Sequence, residues 1–161
     1  MGEAPGAVEA AQGKPFVGPA GNVLHKMLEE AGTDLGRLRL ANAIPFRPIE
    51  HSKDCKPRNR SPTTEEIQCY GAAVLTDIRR SRPAVIVALG STAARLFGAS
   101  QSIRAARKAK LQFEGHPLRV TFHPAYVSRF GGRNSDAWRQ MVADLRQAWE
   151  EAGTHPNSRS A

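Results

Sequence analysis

A few polar side chains in this 161-residue chain stand where they could do chemistry. His123 follows the apolar run Leu118 to Phe122, and an imidazole can donate a hydrogen bond in either protonation state. Asn42 closes a second run from Leu38, and its carboxamide donates and accepts at once, so it suits a ligand edge offering both groups. Gly90-Ser91 follows a third run, Ala84 to Leu89, and opens a helix whose free N–H groups suit a phosphate. Glu3 and Glu9 are the carboxylates of a first loop dense in glycine and proline, spaced so that both can face one pocket. Phe16, later in that loop, reads as a flat apolar wall or as a loop anchor.

Position depends on the elements between these residues. Leu24, Met27, Leu28 and Ala31 share one face of a predicted helix over 21–31, which Gly32 stops. Residues 45–62 hold four prolines without periodicity and are expected to form a long loop. Thr63 or Thr64 then caps a helix with Glu65 and Glu66 in its first turn and Ile67, Gly71, Val74, Leu75 and Ile78 on its buried stripe. Pro83 closes it. The run 84–89 is apolar throughout, as a strand covered on both faces must be. A short helix capped by Ser91 or Thr92, a basic stretch over 102–110, the strand 118–122 and a helix over 136–152 complete the pattern. Trp138, Met141, Val142, Leu145 and Trp149 form the buried stripe of that last helix. Strands alternating with helices predict an α/β fold, a three-layer α/β/α sandwich around a short, mainly parallel sheet. One domain spans 1–152, and 153–161 reads as a disordered tail. Ligands of such sheets sit beyond the carboxyl ends of the strands, where Asn42, Gly90-Ser91 and His123 are expected.

Composition narrows the partner. Lys plus Arg number 23 against 15 Asp plus Glu, a formal charge of +8, and the sequence pI is about 10.2. Such an excess points to a polyanion, nucleic acid before a membrane surface. Hydrophobic residues at 40% and charged residues at 24% exclude wholesale disorder. No apolar run is long enough to span a bilayer, and no secretory signal is legible, so a cytoplasmic protein is expected. Two cysteines, Cys55 and Cys69, suit a reducing compartment better than a disulfide framework.

Several segments in order over roughly residues 2–146 resemble the uracil-DNA glycosylase superfamily, closest to its family-four-like bacterial and archaeal branch. They are Gly2-Glu3-Ala4-Pro5-Gly6 with Glu9, Pro15 to Gly21, Asn42, Asn59 to Glu66, Val87-Ala88-Leu89-Gly90, and Thr121-Phe122-His123-Pro124-Ala125-Tyr126. The resemblance implies an enzyme that flips deoxyuridine out of DNA and hydrolyses its N-glycosidic bond, leaving an abasic site. It implies that Phe16 stacks on uracil, that Asn42 pairs with N3–H and O4, and that His123 donates to the O2 anion. Ala4 would offer its backbone N–H to O2. Glu3 is placed to position water or stabilise the cationic sugar, and Glu9 to stand against C5, although the two roles could be exchanged. Ser91 and Arg129 would hold DNA backbone, and Val127 would fill the gap left by the flipped base. Arg104, Arg107, Lys108 and Lys110 form a further candidate phosphate rail.

The chain also departs from that pattern. The best-known branch keeps a water-activating Asp where Ala4 stands. Family-four enzymes hold an iron–sulfur cluster on four cysteines, and Cys55 with Cys69 cannot do so. His51 added to them is one ligand short of a structural zinc site, so neither metal nor other cofactor is expected. One relative forms a covalent adduct through a histidine in a basic insert. Residues 56–60 here read Lys-Pro-Arg-Asn-Arg, so turnover is expected. A monomeric enzyme is the primary expectation. A non-catalytic or slow-turnover binder of damaged DNA is the first alternative, and a small nucleotide-binding protein using Gly90-Ser91 is the second.

Overall fold

The computed structural model describes residues 1–154. His155–Ala161, most of the predicted tail, lie outside the described residues. In chain order the elements are α1 (Ala7–Gln12), α2 (Pro19–Glu30), β1 (Ile49–His51), β2 (Pro57–Asn59), α3 (Thr64–Ser81), β3 (Ile86–Leu89), α4 (Ser91–Leu96), α5 (Ile103–Ala106), β4 (Leu111–Phe113), β5 (His116–Thr121), α6 (Pro124–Arg129) and α7 (Asp136–Thr154).

The central sheet has the order β3-β5-β4. β3 and β5 run parallel with Ile86 opposite Leu118, while β4 pairs antiparallel with β5. Glu114 and Gly115 join β4 to β5 at φ 49° and 84°, the positive pair that a tight hairpin turn requires. Alternation along the strands divides the core. Ile86, Ala88, Leu118 and Val120 pack with Ile67 of α3, with α4 and with Ala106 of α5. Leu89, with Val87 beside it, faces Leu24, Met27 and Leu28 of α2, Val127 of α6, and Trp138, Met141 and Leu145 of α7. The three layers predicted from the sequence are therefore present, around a sheet that is mixed.

Residues 38–42 are not a strand. Met1 and Gly2 lie between β3 and this segment: Leu89 N–H donates to Met1 O at 2.8 Å, Gly2 N–H to Ala41 O at 2.8 Å and Ala43 N–H to Gly2 O at 2.9 Å. Only Gly2 and Asn42 form a bridge, and it is parallel. A ladder needs a neighbour along its length, and this neighbour provides two residues. The expected loop over 45–62 contains the hairpin β1–β2, exposed throughout. An edge-to-face contact between Phe46 and Tyr70, 4.8 Å between ring centres, ties it to α3. Thr63 caps α3 in a reciprocal box with Glu66, and Arg60 grips the same carboxylate with two bonds of 2.7 Å. Those bonds hold the Glu66 carboxyl at a pKa of about 2. No described helix is long and apolar enough to cross a membrane.

Candidate active site

The carboxyl end of the sheet opens into a cleft of about 730 Å³. Glu3, Ala4, Glu9, Phe16, Asn42, His123 and Arg129 all line it, so seven of the nine residues nominated from sequence, the basic rail over 104–110 apart, meet in one place. Pro48, Asn59, Arg60 and Ser61 supply a further wall, from residues to which sequence reasoning gives no role.

Gly2 forms the hub. A Cβ built on it would lie 2.5 Å from Phe16 Cζ and 2.6 Å from Asn42 Oδ1. The edge of an aromatic ring and the oxygen of a carboxamide therefore converge on a single α-carbon. Phe16 adopts φ 56°, an unusual value for a bulky residue, and is buried. Its carbonyl oxygen would stand 1.9 Å from a Cβ at Gly21, so α2 closes directly onto the Phe16 backbone. Dense glycine in this loop is thus a matter of close approach as well as of turning.

Glu3 and Glu9 have different surroundings. The Glu3 carboxylate accepts from Thr92 Oγ1 at 2.6 Å. Thr92 is buried in α4, and Gly90 at φ 88°, rather than Ser91 or Thr92, occupies the cap position of that helix. The Glu9 carboxylate is buried and accepts from Gly18 N–H at 2.8 Å, at the start of α2. It packs so tightly against Gly6 and Gly18 that a Cβ on either would approach it within 3 Å. Glu9, expected against a base, braces the loop that carries Phe16.

His123 follows β5 by two residues and caps α6, its Nδ1 accepting from Ala125 N–H at 3.2 Å. When the ring is neutral, that bond leaves the proton on Nε2. Burial lowers the His123 pKa, partly offset by the Glu3 charge. An unfolded histidine binds a proton near the ordinary 6.5, so the neutral ring stabilises the fold fully above that pH, and the contribution is lost as pH falls through the lower folded value. Wild type is expected to lose more urea resistance than His123→Gln between pH 7.5 and pH 5; parallel losses would contradict it.

Two assignments need correction. Val127 is fully buried among α2 and α7, so this conformation does not offer it as a wedge. The period of a short helix decides this: Ala125 and Arg129 face the cleft, and Val127 falls on the opposite side. Arg107 is also not part of an open rail, because it pairs with Asp144 at 2.7 Å and bonds Gln140. Ser91 is exposed at the start of α4 but does not line the cleft.

Comparison with known proteins gives the family. The family model described as the uracil DNA glycosylase superfamily matches residues 1–146. The chain belongs to the uracil-DNA glycosylase superfamily. It is 36% identical over 151 residues to a type-4 uracil-DNA glycosylase of Thermotoga maritima, covering 92% of this chain and 73% of the relative. Proteins of the same description from Pyrobaculum aerophilum and Archaeoglobus fulgidus are 32% and 39% identical, covering 80% and 60% of this chain and 66% and 45% of theirs. The iron–sulfur cluster expected of family-four members of the superfamily does not fit the residues present. Cys55 and Cys69 are both exposed, and no group of three or more His, Cys, Asp or Glu among the described residues could hold a metal.

Proposed function

We infer that this superfamily member is a monofunctional uracil-DNA glycosylase that releases uracil from DNA by hydrolysis. The convergence of Phe16 and Asn42 over Gly2, with His123 and Glu3 in the same cleft, carries this inference. An extrahelical uracil stacks on Phe16, while the Asn42 carboxamide accepts from N3–H and donates to O4. Cytosine presents the reverse pattern and leaves both contacts mismatched. As the glycosidic bond breaks, negative charge grows on O2, where His123 Nε2–H and the Ala4 backbone N–H stabilise it. Glu3, oriented by Thr92, holds water and faces the cationic sugar. Glu9 shapes the pocket, since its carboxylate is committed to Gly18. Among the described residues no lysine lines the cleft, which favours hydrolysis without a Schiff-base step. Arg129 at the cleft and Ser91 beside it hold phosphates. The protein works as a monomer in the cytoplasm, with a cleft built from one chain.

The test is base release from an oligonucleotide containing a single uracil, read as alkali-labile strand cleavage. Wild type is expected to release the base, and Asn42→Ala to lose about 10²-fold or more in kcat/KM, as sites that hydrogen-bond a substrate do when a partner is removed. Absence of cleavage by wild type, with tight retention of abasic DNA, would instead identify a binder, which Ala4 in place of a carboxylate favours.

A further inference from the structure

Val127 points inward, yet the helix that carries it is not without exposed apolar side chains. Tyr126 and Phe130 are 45% and 60% exposed, although both are large and aromatic. Their ring centres lie 4.8 Å apart, and Tyr126 in turn stacks on Phe122 at 5.5 Å and 20°. The Arg107 guanidinium also lies over the Phe122 ring, 4.6 Å from its centre, itself fixed by Asp144 and Gln140. Thr121 also donates to Asp144, so the base of this column is anchored to the central sheet. Tyr126 on α6 lies about 100° round from Ala125, which lines the cleft with Arg129, and Phe130 follows at the C-terminal cap of that helix. Arg129 and the 74%-exposed Arg133 flank it, Arg133 making only a loose 3.5 Å approach to Glu30.

We propose that the Tyr126–Phe130 ridge is a stacking platform for unpaired DNA bases next to the extrahelical nucleotide. The proposal rests on the glycosylase function above and adds a second contact surface to it. Stacking on aromatic rings binds unpaired bases and tolerates any sequence, because every base has a flat face. Flanking arginines and the +8 charge favour a nucleic-acid occupant over an apolar protein segment. A platform anchored through Arg107 and Asp144 is in place before DNA arrives, so little ordering is needed on binding.

The experiment uses single-stranded and duplex oligonucleotides with 2-aminopurine beside the uracil. Wild type is expected to quench 2-aminopurine on binding and to release uracil. Tyr126→Ala with Phe130→Ala is expected to lose the quench and raise KM at least about 10-fold, consistent with one or two lost stacks, with free uracil inhibiting as before. Phe130→Ala alone, at an exposed site, retains the fold and shows part of both effects. Tyr126→Phe keeps the quench. Wild-type quenching and KM in the double variant overturn the proposal while leaving the glycosylase function standing; no uracil release by wild type would overturn the function itself. Dimerisation of wild type that the double variant abolishes would assign the ridge to self-association and also overturn the proposal.

Discussion

His123→Ala is expected to lower kcat for uracil release by about 10²–10³-fold, the usual loss when one donor to a developing oxyanion is removed. On the proposed mechanism the loss should fall mainly on kcat, because charge on O2 grows only as the glycosidic bond breaks, while the binding contacts assigned to Phe16 and Asn42 are untouched. Three features place this donor. β5 ends at Thr121, so His123 emerges at the cleft. Gly90 leaves space beside it, since a Cβ there would lie 3.0 Å from that of His123. The Ala125 N–H holds Nδ1 and directs the remaining proton to Nε2. Single-turnover kinetics on uracil-containing DNA would measure the effect; a variant with wild-type kcat and raised KM would make His123 a binding residue only.

Gly2→Ala is expected to reduce kcat/KM by about 10²-fold or more, a loss typical of misplacing reacting groups by an ångström. The new methyl would need space occupied by Phe16 Cζ at 2.5 Å and Asn42 Oδ1 at 2.6 Å. Phe16 has little room to retreat, because Gly21 of α2 closes on its backbone and Glu9 braces the loop from the other side. The methyl therefore displaces Phe16, Asn42 or both, the two groups proposed to stack on uracil and to identify it. Overpacking of this kind costs about 1–3 kcal/mol of stability, so thermal melting should show a folded protein with a lowered midpoint. Wild-type kinetics in the folded variant would show that Gly2 is not the hub of the pocket.

The chemistry of the site was more legible in the sequence than its geometry. His123 stands out because a polar residue ends an apolar run, and that run is β5. Asn42 reaches the cleft as expected, although the segment before it is not a strand; hydrophobicity marks burial but does not reveal that its partner is two residues long. Thr92 was invisible as an orienter of Glu3, because the two are 89 positions apart and meet only through the sheet. Pro124 suggests a break after β5 but occupies the first turn of α6, where a missing N–H is tolerated. Once that helix is recognised, its period puts Val127 in the core and Tyr126 outside. The basic stretch over 102–110 could not show that Arg107 is paired to α7, since that contact too is made only by folding.

The backbone that carries Glu3 is continuous with the sheet. Leu89 bonds Met1, Ala41 and Ala43 bond Gly2, and Ile44 donates to Glu3 O at 3.3 Å. No hinge separates the chemistry from the core. Loops that act as lids belong to the least stable parts of a protein and open in isolation; this one is bonded to β3 through Met1 and to residues 41–44 through Gly2 and Glu3, and is expected to open no more easily than they do. The protein therefore presents a fixed mould, and the rearrangement needed to reach the bond falls on the DNA.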